Sequence, residues 1–364
     1  MFEKEENMGR YSVASLFAGI GGICKGFETQ GASVVWANEI DKYACQTYRT
    51  NMKSTVLIEG DIYDIDEKKM LDADIITAGF PCQSFSVAGK QLGFKDARGN
   101  LFFEIMRFIR AKQPKAILLE NVKNLVSHDD GNTFKIIIES LKEEGYYLKY
   151  KVMNTMEYGN IPQNRERIYI IGFRKQDDYN RFVFPNPISL TNRLSDIINC
   201  NEKQEDKYYY TEKSKFYDLL NQSIDKQSTV YQLRRVYVRE NKKGVCPTLT
   251  ANMGTGGNNV PIIRDRYGIR KLTPFECFKF QGYKDIVLPT QVSDSQLYKQ
   301  AGNSVSVPVI ERIAKNIISA LSGNKLKETV SIDTDYYEDY VQLTLGDILG
   351  EAIKEKQEEY TLSA

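Results

Sequence analysis

The sequence has one histidine and one tryptophan in 364 residues. The histidine, His128, stands in a polar stretch, "SHDDGN", with no second histidine to share a metal or a proton. Histidine-based acid–base chemistry is therefore not expected, and His128 reads as a loop residue. Cysteine is sparse too: Cys24, Cys45, Cys82, Cys200, Cys246 and Cys277 are scattered, and no two form a CxxC pair. That spacing argues against a structural or catalytic zinc site, so no metal is expected. Reduced, scattered thiols fit a cytosolic chain. No apolar run approaches the roughly 20 residues that a membrane-spanning helix needs. The opening "MFEKEENMGR" lacks the apolar stretch of a signal peptide, so a cytoplasmic location is expected. An excess of charge of one sign is missing as well: 49 Lys and Arg against 48 Asp and Glu leave a net charge of +1. Any nucleic-acid surface must then be a local patch.

What is present is ordinary globular composition, 41% hydrophobic and 27% charged. From Tyr11 to about Gly172, short apolar strands alternate with amphipathic helices. "SVASLF", "ASVVWANE", "STVLIEGDI", "ADIITAGF", "KAILLENV" and "RIYIIGF" read as strands. "NLFFEIMRFIRAKQ" and "TFKIIIESLKEEG" have helical spacing between them. The alternation predicts an α/β, doubly wound, Rossmann-like sheet. After about Pro185 the pattern breaks into a polar, tyrosine-rich stretch, and helical periodicity returns at "TPFECFKFQG" and "VPVIERIAKNIISALSG". Residues 1–185 plus 270–323 are expected to form the main domain, with a smaller domain, 186–269, inserted near its end. Residues 324–364 read as an acidic extension ending in a possible amphipathic helix.

Candidate site residues fall at successive strand ends. "LFAGIGG" (16–22) ends the first strand with glycines that let backbone approach a ligand. Alone it is equally a tight structural turn. Glu39 ends the second strand, where an acid can accept from ribose hydroxyls, and Asp61 ends the third, placed to accept from an adenine amino group. Three such features on one sheet edge predict a nucleoside-type cofactor. Cys82 ends the fourth strand in "GFPCQSFSVAG". Buried filler is the usual fate of a free cysteine, but Pro81, Gln83, Ser84 and Ser86 are not core company, which favours a nucleophile. Glu120 ends the fifth strand, where a carboxyl in a dry pocket would hold a raised pKa and could protonate a ring nitrogen. Arg165 and Arg167 in "QNRERIYIIG" read as pocket braces, phosphate ligands or plain surface charge.

Together these stretches resemble the DNA (cytosine-5)-methyltransferase family of bacterial restriction–modification type. The resemblance runs over about residues 12–320 through "FAGIGG", "NEIDKYA", "GDI", "GFPCQSFSVAGK", "RGNLFFE", "ENV", "QNRERIYIIG", "RKLTPFECFKFQGY" and "QAGNSVSVPV", in the family's order. It implies an S-adenosylmethionine-dependent domain with an inserted target-recognition domain. Cys82 would add to carbon 6 of cytosine, Glu120 would contact ring nitrogen 3 and the amino group, and carbon 5 would then take the methyl group. Arg165 would help hold the activated ring, with Arg167 beside it. Phe17, Gly19, Gly21, Glu39, Ile40, Asp61, Ile62 and Leu101 would line the cofactor site, with Asn303 and Val305 closing it. Ile40 stands where the family often has a large aromatic, and Ala88 where some members carry a DNA-contacting serine.

The target cytosine is buried in double-stranded DNA and must be flipped out. Between Tyr231 and Lys271 the basic residues are Arg234, Arg235, Arg239, Lys242, Lys243, Arg264, Arg266, Arg270 and Lys271, against only Glu240 and Asp265. This is the local basic patch expected for DNA. Expected DNA contacts are Gln83, Ser86, Arg98, Arg167, Arg234, Arg235, Arg239, Thr248 and Thr250, the last two in "PTLTANMGTGGNN", which resembles the family's recognition-loop core. The expected state is a monomer, paired functionally with a restriction endonuclease. A tRNA cytosine-5 methyltransferase and a catalytically silent DNA-binding homologue are the alternatives; the intact Cys82, Glu120 and Arg165 argue against silence.

Overall fold

The computed structural model describes residues 11–81, 101–241, 244–255 and 259–324. Cys82, Gln83, Ser86, Ala88, Arg98, Lys242 and Lys243 lie outside the described residues, as does the helix anticipated in the C-terminal extension.

Eleven strands and ten helices are present among the described residues. In chain order they are β1 (Ser12–Leu16), α1 (Gly22–Glu28), β2 (Ser33–Glu39), α2 (Lys42–Asn51), β3 (Val56–Glu59), β4 (Ile75–Gly79), α3 (Leu101–Lys112), β5 (Ala116–Val122), α4 (Asn132–Glu143), β6 (Tyr147–Asn154), α5 (Thr155–Tyr158), β7 (Glu166–Phe173) and α6 (Gln176–Arg181). Then follow α7 (Tyr217–Ser223), β8 (Tyr231–Leu233), β9 (Val238–Glu240), β10 (Ile262–Asp265), β11 (Gly268–Lys271), α8 (Pro274–Phe280), α9 (Asp294–Asn303) and α10 (Val307–Leu321).

The first seven strands form one sheet in the order β3-β2-β1-β4-β5-β7-β6. Strands β1 to β5 run parallel, while β7 is antiparallel to both β5 and β6. The central strands are buried on both faces, which is why "SVASL" and "AILLENV" read as continuous apolar runs rather than alternating ones. One apolar cluster packs α1 and α10 on one face, through Phe27, Ile310 and Ile317. A second packs α3 and α4 on the other, through Phe108, Phe134 and Ile137. The strand order reverses between β1 and β4, the switch point at which such sheets open a crevice beyond the strands' carboxyl ends.

Strand β6 and helix α9 are among the elements that escape the sequence pattern. Strand β6 carries Lys149 and Lys151 because it is the sheet edge, and its two ends, Tyr147 and Asn154, differ in burial. Helix α9, "DSQLYKQAGN", is short of apolar periodicity because backbone, not only side chains, packs against it.

The small four-stranded antiparallel sheet has the order β11-β10-β8-β9. Its own core is small: Leu220, Ile224, Tyr231, Leu233, Ile262 and Ile269. A larger cluster joins Leu194, Ile197, Leu249 and Met253 to Phe278, Leu297 and Tyr298 of α8 and α9. The inserted stretch is thus fused to the main body rather than hung from it, and β11 runs across the boundary drawn between 269 and 270. Arg270 is the rivet. Its guanidinium is fully buried, 2.7 Å from Asp265 and 2.8 Å from both oxygens of Glu276. This corrects its place in the basic patch: Arg270 is a structural ion-triad member and offers no charge to DNA.

Candidate active site

A cavity of about 790 Å³ opens at the carboxyl ends of β1, β2, β3, β4 and β5. The residues at its wall are fixed by local hydrogen bonding. Glu39, at the end of β2, accepts from three backbone amides: Gly19 at 2.7 Å, Ile40 at 2.9 Å and Asp41 at 2.8 Å. Burial nevertheless pushes its carboxyl up from the ordinary range, with those amides pulling the other way. Its Oε1 is filled by the Ile40 and Asp41 amides, while Oε2, which accepts only from Gly19, keeps a lone pair for a ligand hydroxyl. Asn38 donates to Ile58 O and Gly60 O, which folds the turn that presents Asp61 beside β2. One Asp61 oxygen accepts from Tyr63 N at 3.1 Å, and no described residue bonds the other. Apolar Ile62, Leu101 and Val305 stand around these acids, and Ile40, 62% exposed, sits at the rim. Two carboxylates among flat apolar walls suit a nucleoside: acceptors for its hydroxyl and amino donors, and hydrocarbon for its base.

Phe17 adopts a left-handed backbone, φ 53°, unusual for an aromatic residue. Strain of that kind is retained where the surroundings enforce it, commonly at ligand sites. Gly19 (φ 58°) faces open space, whereas Gly21 (φ 90°) does not line the cavity. A Cβ on Gly21 would stand 2.9 Å from Met52 Cγ and 3.0 Å from Tyr48 Cε2. Gly21 is therefore required by the turn into α1 and its packing, not by direct ligand contact. Phe17, Gly19, Glu39, Ile40, Asp61, Ile62, Leu101, Asn303 and Val305 all reach the cavity.

Glu120 lies in the same cavity. It is 8% exposed, and its Oε1 is 3.2 Å from Arg167 Nε without hydrogen-bond alignment. Burial raises its pKa, and Arg167 and then Arg165 oppose that rise. A carboxyl so placed is poised to carry a proton. Asn121, which sequence reasoning passed over inside "ENV", donates to Phe80 O at 2.9 Å and accepts from Val122 N. It ties the end of β5 to the end of β4, where Pro81 lines the cavity one residue before Cys82.

The two arginines divide differently from expectation. Arg167 faces the Glu120 carboxylate, while Arg165 is 2% exposed and donates to Leu249 O at 2.8 Å, Gly302 O at 3.2 Å and Ser304 O. Lys299 and Asp41, also overlooked, form a 2.7 Å ion pair at the cavity wall. Arg234, Arg235 and Arg239 are exposed on the β8–β9 hairpin, next to Val236 at 82% exposure. Thr250 is exposed; Thr248 already donates its only hydroxyl proton to Asn164 O at 2.6 Å, so it cannot also donate to a phosphate. Arg264 is engaged with Ile224 O and Asn221. The remaining cysteines, Cys24, Cys45, Cys200, Cys246 and Cys277, are unpaired, and no metal-binding group of His, Cys, Asp or Glu exists among the described residues. His128 bonds Thr133 at 2.7 Å in the turn before α4. No described helix is long and apolar enough to cross a membrane.

Comparison with known proteins agrees with this geometry. The family model for C-5 cytosine-specific DNA methylase matches residues 11–319. The type II methyltransferase M.Bsp6I of a Bacillus species is 56% identical over 313 residues, covering 85% of this chain and 99% of that protein. M.HaeII of Haemophilus aegyptius is 42% identical, covering 86% of this chain and 95% of that protein. In fold, the chain is similar to the Dnmt2 methyltransferase of S. pombe, with a TM-score of 0.65 at 20% identity over 86% of this chain and 99% of that one. The chain belongs to the C-5 cytosine-specific DNA methylase family.

Proposed function

We infer that Cys82 and Glu120 carry methyl transfer in this chain, a type II DNA (cytosine-5)-methyltransferase of a restriction–modification system, with Arg167 facing Glu120 and Arg165 bracing the pocket behind it. The observation that supports the assignment most is the shared cavity. The buried Glu120, beside Arg167 and with its pKa raised by burial, opens into the space lined by Glu39 and Asp61.

The cavity's donor set fits S-adenosylmethionine. Glu39 would hold the ribose hydroxyls, Asp61 the adenine amino group, and Ile40, Ile62 and Leu101 the faces of the base. Phe17, Gly19, Asn303 and Val305 would line the remainder. When bound, the cofactor supplies an electrophilic methyl group on a sulfonium.

Cytosine carbon 5 is too poor a nucleophile to accept that group unaided. Addition of the Cys82 thiolate to carbon 6 breaks the 5,6 double bond and moves its electron pair to carbon 5. Protonated Glu120 donates to ring nitrogen 3, which absorbs the charge that addition would otherwise leave there. Arg167 steadies the Glu120 side chain and the polar edge of the ring. Carbon 5 would take the methyl group as the methyl–sulfur bond breaks; loss of the carbon-5 proton then expels the thiolate, the ring-nitrogen proton returns to Glu120, and the aromatic ring is restored. No histidine or metal is needed.

The substrate is double-stranded DNA with the target base flipped out of the stack. Arg234, Arg235 and Arg239 form the exposed basic face that meets it, with Thr250, Gln83, Ser86 and Arg98 as further contacts. Bisulfite sequencing of DNA from cells expressing the protein tests the proposal. One short sequence should become fully protected at one cytosine, and DNA with no protected cytosine would refute it.

A further inference from the structure

Arg165 poses a problem that methyl transfer does not solve. It is a cation buried to 2% exposure, and among the described residues no carboxylate hydrogen-bonds it. Its Nε has no hydrogen-bond partner among the described residues. Burial works against its charge and Arg167 adds to the effect, with Glu120 and Tyr169 pulling the other way. Such an arrangement is costly unless the groups around it need the cation.

Those groups belong to two different pieces of the chain. Gly302 and Ser304 are at the carboxyl end of α9, where the helix dipole presents its negative pole and carbonyls lack intrahelical partners. Leu249 belongs to the inserted stretch, in "PTLTANMGT". The Leu249 peptide is held at both ends by side chains from one short segment. Its N–H donates to Gln163 Oε1 at 3.2 Å and its carbonyl accepts from Arg165 at 2.8 Å. Gln163 in turn donates to Phe280 O at 2.6 Å, at the end of α8.

The same stretch lies on α9 at backbone distance. A Cβ on Gly302 would fall 2.1 Å from Thr250 C and 2.3 Å from Ala251 N. A Cβ on Gly254 would fall 2.3 Å from Ser295 O. Helix α9 and the residues just beyond it also contribute Lys299, Gln300, Asn303 and Val305 to the cofactor cavity. One helix therefore carries the recognition-side segment on one side and a cavity wall on another.

We propose that Arg165 is a positioning residue that locks the segment Thr248–Thr255 to the α9 wall of the cavity, so that DNA engagement at that segment and cofactor occupancy strengthen each other. The inference rests on the function proposed above. By linkage, DNA that holds Thr248–Thr255 in place holds α9 in place, and a filled cavity does the same in reverse. The coupling is a property of the clamp and not of either contact surface.

The test measures S-adenosylhomocysteine affinity by calorimetry, first with a scrambled duplex and then with a duplex carrying the site identified by bisulfite sequencing. The wild type should bind about tenfold more tightly with the cognate duplex, within the usual range of coupling between sites. In Arg165→Met and in Gly302→Ala that ratio should fall to about one, whatever happens to the separate affinities. A merely structural role would weaken both affinities and leave the ratio unchanged, and that result would overturn the proposal. Should the variants not fold, hydrogen exchange on the wild type decides. S-adenosylhomocysteine alone should slow exchange of the amides of Leu249 to Thr255, and unchanged exchange would overturn it. A wild type that binds no S-adenosylhomocysteine would refute the underlying function and this inference with it.

Discussion

Glu120 and Arg167 set the pH behaviour expected of the site. Burial raises the Glu120 pKa, so the carboxyl keeps its proton further toward neutrality than an exposed one. In the proposed mechanism protonated Glu120 is the active form, so the rate should fall on an alkaline limb as the proton is lost. Arg167 favours the charged carboxylate and holds that limb down. Removing the cation in Arg167→Gln raises the Glu120 pKa further, and the alkaline limb of kcat/KM should move to higher pH. A limb that stays in place or moves down would remove Glu120 from the role. Cys82→Ser should lose methyl transfer entirely while S-adenosylhomocysteine binding by calorimetry stays within about twofold, since no bond to carbon 6 can form with a hydroxyl that remains protonated. At this scale the strand-end acids were readable because the type of residue and its place on the sheet edge together define the chemistry. The difference between Arg165 and Arg167 was not. Two arginines two residues apart look alike in sequence, and only the fold shows that one faces Glu120 while the other is committed to three carbonyls.

The turn between β1 and α1 separates two uses of glycine. Gly19→Ala meets no atom within 4 Å, so its cost in stability should be about 1–2 kcal/mol for the left-handed backbone. Its methyl group, on a residue lining the cavity, should weaken S-adenosylhomocysteine binding by about tenfold, or 1.4 kcal/mol. Gly21→Ala combines the same backbone cost with contact against Tyr48 and Met52, and should lose about 2–4 kcal/mol in urea unfolding. The two variants together distinguish ligand approach from helix packing. The motif "FAGIGG" announced a tight turn but not which glycine served which purpose, because that depends on Tyr48 in α2 and Met52 just beyond it, about thirty positions away. Strand β6 and helix α9 were missed for related reasons. Lysines on an edge strand blur the alternation of period two, and backbone-to-backbone packing on Gly302 and Gly254 leaves no apolar stripe to detect.

Over the whole molecule, the near-neutral net charge conceals how charge is used. Arg270, Asp265 and Glu276 form a buried triad that joins the small sheet to α8, with Tyr209 donating to Asp265 at 2.8 Å. Arg270→Met would leave two carboxylates buried without a cation, at a cost of about 3–5 kcal/mol, readable as a lower urea midpoint. With Arg270 removed from the patch and Arg264 engaged by its neighbours, the exposed arginines of the β8–β9 hairpin, with exposed Arg266, carry the positive face. The break in strand–helix alternation near Pro185 announced a change of architecture, and a small separate antiparallel sheet follows it. The fusion of that stretch to α8 and α9 was not legible, since the shared cluster is assembled from single apolar residues spread between Leu194 and Tyr298.

The claim on which all of this turns is that Cys82 attacks carbon 6 of the target cytosine. A duplex bearing 5-fluorocytosine at the methylated position blocks loss of the substituent at carbon 5, so the enzyme should be trapped as a covalent adduct in the presence of S-adenosylmethionine. Peptide mapping by mass spectrometry should place the nucleotide on the peptide containing Cys82. An adduct at another residue, or none with an enzyme that methylates the unfluorinated duplex, would contradict it.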